Sequence, residues 1–152
     1  MTTEPKKKVR LGDLLVQNDV ITEQQLMTAL REQKSTGRKL GKTLTDLGYV
    51  DEDSLLNILS RQLDVPFVQL RHYQFNNELV KKLPEAMARR FRSIVLAEQN
   101  GELLVGMADP LDIFAYDELV RILKQPIKQA VVRESELLST LDLVYRRTDE
   151  IA

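Results

Sequence analysis

Residues 10–33, RLGDLLVQNDVITEQQLMTALREQ, align without a gap on residues 39–62, KLGKTLTDLGYVDEDSLLNILSRQ. Seven of the 24 positions are identical: Leu11/Leu40, Gly12/Gly41, Leu15/Leu44, Glu23/Glu52, Leu26/Leu55, Leu30/Leu59 and Gln33/Gln62. Unrelated segments of average composition match at about one or two such positions. The spacer is Lys34-Ser35-Thr36-Gly37-Arg38. A duplication of this length means one supersecondary unit used twice, its apolar face buried against its own copy. It also disposes of a false lead. Gly41-Lys42-Thr43 ends like a phosphate-binding P-loop, but Thr36 stands where the first glycine of that motif belongs, and the preceding segment has a helical period rather than a strand.

Each copy reads as a short helix, a turn and a longer helix. In the first, Leu11, Leu14 and Leu15 form a one-sided stripe that breaks at Asn18-Asp19. Thr22, with Gln25 three residues on, is a capping box for a helix carrying Leu26, Ala29, Leu30 and Gln33 on one face. Gly37 suits the position just past its end. In the second copy Gly48 ends the short helix and Asp51 caps the long one. Two such αα-hairpins predict a pseudo-twofold bundle of four helices.

The rest of the chain is of another kind. LPEAMARRF, residues 83–91, predicts a helix, and two apolar runs, 94–98 and 102–107, bracket the hairpin signal Asn100-Gly101. Asp109-Pro110 reads as N-cap and first-turn proline of a helix with Leu111, Phe114, Leu119, Ile122 and Leu123. Residues 127–132 read as a strand and SELLSTLDLVYRR as a last amphipathic helix. The expected fold is therefore α+β: tandem αα-hairpins in residues 1–70, including an extended connector at 65–70, then a small αββαβα subdomain over 71–152.

With 43% hydrophobic and 30% charged residues, the composition is that of a soluble globular protein. The absence of cysteine excludes disulfides and thiolate zinc sites and suits a reducing compartment. A net charge of −1 and few aromatics argue against DNA or RNA as partners. The one basic cluster is Lys6, Lys7, Lys8 and Arg10. His72 has no second histidine beside it and reads as a surface residue. Neither a Walker A sequence nor any other catalytic motif is present, so the chain is expected not to be an enzyme.

Two repeated features need a reason beyond the apolar stripes. At the sequence level, helix packing offers no account of the shared glycine, or of a glutamine on the same face as Leu26 and Leu30. A glycine at a helix start lets a ligand approach the backbone, where free N–H groups favour an anion. A basic residue two positions earlier, Arg10 or Lys39, adds charge, and a repeated Gln33/Gln62 suggests a polar contact with a ligand.

The pattern RLGxx[LVI][LVI]xxG[LVI][LVI]xxxxLxxxLxxQ, twice with a five-residue spacer, resembles the MshE-N domain. That domain is the cyclic di-GMP-binding N-terminal region of type IV pilus and type II secretion ATPases. Departures are Asp19 for Gly, Lys39 for Arg, Thr45 for an aliphatic residue and Tyr49 for a smaller one. The resemblance implies a ligand, cyclic di-GMP, and no cofactor. It implies contacts from Arg10, Leu11, Gly12, Leu15, Leu26, Leu30 and Gln33 in one half-site. Lys39, Leu40, Gly41, Leu44, Leu55, Leu59 and Gln62 would serve the other. Lys8 and Asp109 are accessory candidates, the Asp109 carboxylate through guanine N1–H and N2–H₂. Arginine can fork onto a guanine edge where lysine cannot, so the first half-site should hold the stronger polar contact. The resemblance further implies a cytoplasmic domain that passes its signal to ATPase domains of the same protein lying beyond residue 152. A reading from a different class is a module that docks on an inner-membrane pilus or secretion component and binds no nucleotide.

Overall fold

The computed structural model describes residues 10–151. The chain divides into two compact units, one ending at Ile58 and the other beginning at Leu59.

The duplication is as exact in the backbone as in the sequence. Helix α1 spans Leu11–Gln17 and α3 Leu40–Asp46; α2 spans Glu23–Thr36 and α4 Glu52–Leu63. One offset of 29 residues relates α1 to α3 and the start of α2 to the start of α4. The turns repeat bond for bond. Val20 N–H donates to the Leu15 carbonyl at 3.0 Å, and Tyr49 N–H donates to that of Leu44 at 3.0 Å. Both turns need a left-handed residue, supplied by Asp19 (φ 57°) in one copy and Gly48 (φ 78°) in the other. Aspartate tolerates that region, so the departure from glycine is absorbed. Thr22 and Gln25 form a complete capping box on α2, and Gly37 closes it in the left-handed conformation. Asp51 accepts from the amide and hydroxyl of Ser54. These two bonds hold the Asp51 carboxyl below the usual carboxylate range. Leu15, Leu44 and Ala29 are completely buried and, with Leu14, Ile21 and Val50, make up much of this unit's interior.

The second unit is a small sheet flanked by helices. After α5 (Asn77–Lys81) and α6 (Glu85–Arg90) come β1 (Ser93–Gln99), β2 (Glu102–Met107), α7 (Ile113–Leu123), β3 (Ile127–Val131) and α8 (Glu134–Ile151). The sheet order is β1-β2-β3, with β1 antiparallel and β3 parallel to β2. Asn100 (φ 56°) and Gly101 (φ 77°) make the tight turn the sequence asked for. The register slips between Val95 and Ala97. The carbonyl of the extra residue, Leu96, accepts from the Tyr73 hydroxyl at 2.9 Å. The connector adds a rung of its own: Phe67 bridges Val131 in parallel, with Val68 N–H donating to the Val131 carbonyl.

The core here is made by Ile94, Val95, Leu103, Val105 and Met107 of the sheet, packed on Leu119 of α7 and Leu137 and Leu141 of α8. Tyr145, buried on α8, donates its hydroxyl to the carbonyls of Leu83 (2.6 Å) and Val80 (3.3 Å), pinning the α5–α6 junction. Burial pushes its pKa up to about 12.

Two sequence expectations are corrected. Helix α5, capped by Asn76, is an element the pattern did not reveal; five residues are too few to show a period. Asp109 is not the cap of the following helix. Its carboxylate accepts from Leu111 N–H at 3.3 Å in a local turn, and Asp112 is the N-cap, accepting from Ala115 N–H at 3.0 Å. A short side chain that bonds the backbone two residues on offers an alternative to helix, and Asp112 is an equally good cap one turn later. The helix therefore starts at Ile113, its buried stripe is Ala115, Leu119 and Leu123, and Phe114 lies largely in water.

Candidate ligand site

The two motif starts, Arg10-Leu11-Gly12 and Lys39-Leu40-Gly41, lie at the N-termini of the short helices. Arg10 and Lys39 are the extended N-cap residues, and neither helix receives a side-chain capping bond. Both long helices do receive one. The first-turn amides of α1 and α3 are thus left for water or an anion. Arg10 is exposed and forms no ion pair among the described residues.

The glycines have a packing reason that the sequence alone did not disclose. A Cβ on Gly12 would sit 2.6 Å from Leu26 Cδ1 and 3.1 Å from Cδ2, so α1 approaches α2 where only a hydrogen fits. A Cβ on Gly41 would lie 3.2 Å from Leu55 Cδ2 and 3.4 Å from Leu11 Cδ2. Gly12–Leu26 and Gly41–Leu55 are therefore the same contact in two copies. Leu11 reaching toward Gly41 brings the two motif starts together.

Side-chain exposure separates the remaining candidates. Leu15 and Leu44 are completely buried. Leu11, Leu40, Leu26 and Gln33 are half-buried, while Gln62 is exposed. Leu30 is 45% exposed, whereas its counterpart Leu59 is 4% exposed. Met27, which the motif does not include, is 62% exposed, and its counterpart Leu56 only 4%. The sequence pattern could not separate these pairs, because all four residues are apolar at helical spacing. Lys8 lies outside the described residues, and Asp109 sits in the turn before α7 in the second unit. His72 is exposed, and no group of His, Cys, Asp or Glu among the described residues is arranged to hold a metal. No described helix is long and apolar enough to cross a membrane.

Comparison with known proteins gives a consistent picture. The family model of the MshEN domain matches residues 63–151, the part of the chain that follows the repeats. A solved structure of MshE with cdg (cyclic di-GMP) is 39% identical, with a TM-score of 0.80, covering 88% of this chain and 97% of that one. The N-terminal domain of XpsE shares the fold at 21% identity and a TM-score of 0.74, over 93% of this chain and 97% of that one. Among curated proteins, the type IV pilus assembly ATPase PilB of Myxococcus xanthus is 31% identical over 136 residues. The bacteriophage adsorption protein B of Escherichia coli K12 is 29% identical over 137. Each alignment takes in 90% of this chain, but only 24% and 18% of those relatives, so the chain spans a quarter or less of their length.

Proposed function

Because the chain belongs to the MshEN domain family, we propose that it is a cyclic di-GMP sensor that biases a motor in the same protein, an ATPase of the type IV pilus or type II secretion kind. The observation that carries this reading is its likeness, across nearly all of both chains, to the structure of MshE with cyclic di-GMP. A near-twofold dinucleotide suits a duplicated hairpin whose motif starts meet. Arg10 would fork onto one guanine, and Lys39 would supply a point charge at the other half-site. The uncapped first turns at Gly12 and Gly41 would take phosphate oxygens. Leu11, Leu40, Leu26 and Leu30 would offer apolar surface for the bases, with Gln33 and Gln62 orienting them, whereas Leu55 and Leu59 are already buried in the free chain.

Such a domain acts by linkage. The nucleotide binds one arrangement of the protein better than another, and that difference in affinity is all it can transmit. The alternative, a docking module that binds no nucleotide, fits the comparisons less well. Relatives named as a pilus assembly ATPase and as a phage adsorption protein have a common small-molecule input as a simpler shared reason than a common docking partner. Calorimetric titration of the purified chain with cyclic di-GMP, against GTP and ATP as controls, tests the reading. Saturable binding of the cyclic dinucleotide alone is expected; heat of dilution only would overturn it.

A further inference from the structure

The segment that leads into α5 runs alongside α8 and is tied to it at two points. Leu70 N–H donates to the Glu136 carboxylate at 2.7 Å, and further along both segments the Tyr145 hydroxyl donates to the Val80 carbonyl at 3.3 Å. Between the ties lies a cleft of about 730 Å³, wholly within the second unit. Three groups that line it are left over by the fold. Thr140 is only 8% exposed, yet its hydroxyl forms no hydrogen bond among the described residues. No fully buried side-chain polar atom there lacks a partner, so this hydroxyl must open into the cleft. Leu143, at 65%, is the most exposed large apolar side chain among the described residues. Arg71 is exposed and forms no ion pair among them, whereas the acids Glu134, Glu136 and Asp142 of α8 pair with Arg92, Arg133 and Arg89.

We propose that the cleft docks an acidic, amphipathic segment of a partner protein. A carboxylate of that segment sits on Arg71, the Thr140 hydroxyl bonds its backbone, and a bulky apolar side chain is held between Phe75 and Leu143. The two ends of the cleft differ accordingly. At the end tied through Leu70 stand Arg71 and Arg133, the latter over the Phe67 ring at 5.1 Å. Phe75, tilted against Tyr73 with ring centroids 5.0 Å apart, and Leu143 follow toward the other tie. The row of α8 that leads to Leu143 carries only Ser135 and Ser139, so no bulky side chain interrupts about 12 Å of that helix. The charge left unanswered is positive, which selects an acidic partner and repels a basic one. Leu143 stands mostly in water, so a small molecule enclosed by the walls would leave it uncovered. A peptide lying along α8 covers it. None of these residues belongs to the repeats, and the assignment holds whether or not the chain binds a nucleotide.

The test is a selection of phage-displayed random peptides on the whole chain. The enriched peptide, fluorescently labelled, is then titrated by polarisation against wild type, Arg71→Glu and Leu143→Ser, each with a thermal melt. Enriched peptides should carry an acidic residue and a bulky apolar one. Both substituted positions are exposed, so the variants should melt like wild type while binding the peptide roughly tenfold more weakly. Exchanging the acid of the peptide for lysine should restore binding to Arg71→Glu, which a merely structural role for Arg71 would not allow. Peptides that bind all three forms equally, or that enrich without an acid, overturn the proposal, as does a selection that enriches nothing. A concentration-dependent dimer of the wild type in sedimentation, abolished by Leu143→Ser, would make the occupant a second copy of this chain and overturn it too.

Discussion

Replacing each repeated glycine by alanine separates helix packing from ligand approach. Alanine at position 12 puts a methyl 2.6 Å from Leu26 Cδ1, 3.1 Å from Cδ2 and 3.4 Å from Cγ. One methyl is closer than a real Cβ contact allows and the other is tighter than most, so the end of the Leu26 side chain must shift further than any neighbour of position 41. Overpacking of this kind costs about 1–3 kcal/mol, against a gain of about 0.5–1 kcal/mol for removing a glycine from a helix. The net is a loss of about 0–2.5 kcal/mol. At position 41 the nearest atoms are at 3.2 and 3.4 Å, both ends of flexible leucines. Small adjustments suffice there, and the helical gain leaves Gly41→Ala within about 0.5 kcal/mol of wild type. For a chain of this size, 1 kcal/mol shifts the melting temperature by about 2–4 °C. Thermal unfolding followed by circular dichroism should therefore rank Gly12→Ala below both wild type and Gly41→Ala. Equal melting temperatures for the two variants, or a lower one for Gly41→Ala, would refute the packing argument. Titration of the same proteins adds the second half: lost affinity in a fully stable Gly41→Ala assigns that glycine to the ligand.

Arg10→Ala and Gln33→Ala should each weaken cyclic di-GMP binding by roughly ten- to a hundredfold. Lys39→Ala should cost less than Arg10→Ala, as calorimetry will show; the reverse order would move the stronger polar contact to the second repeat. Tyr145→Phe removes the donor that serves the Leu83 and Val80 carbonyls and should cost about 1–3 kcal/mol in urea unfolding. Because burial raises the folded pKa of Tyr145 from 10.0 to about 12, its contribution is fully present below pH 10 and is lost as pH rises through about 12. The stability gap between wild type and Tyr145→Phe should shrink over that window. Asp112→Ala should lower stability by about 1 kcal/mol, with Asp112→Asn close to wild type, because asparagine caps equally well.

What could be read from the sequence was whatever recurs or has a local cause. The 29-residue offset announced both hairpins. Asn100-Gly101 announced the sheet's first turn, and Thr22 and Gln25 announced a cap that forms as expected. The misplaced start of α7 shows the limit: Asp109 and Asp112 are equally competent caps, and the side-chain bond from Asp109 to Leu111 N–H decides between them. The glycines were legible as special, but their packing role was not, since the approach of Leu26 to Gly12 is a tertiary fact. The exposure of Leu30 and Met27 was hidden for the same cause. Apolar residues at helical spacing look alike whether or not something covers them, and only the structure distinguishes α2 from α4.

The bridge between Phe67 and Val131 fixes an order of events during synthesis. The hairpins of the first unit close through neighbours such as Gly12 with Leu26 and Gly41 with Leu55, partners that leave the ribosome almost together. Phe67 must wait for residue 131, which at about 5–20 residues per second arrives roughly 3–13 seconds later. For that interval the segment after α4 has no strand to lie against. Damage to β3 would therefore be felt by the nascent chain as a connector that never finds its seat, with the helical repeats already formed ahead of it.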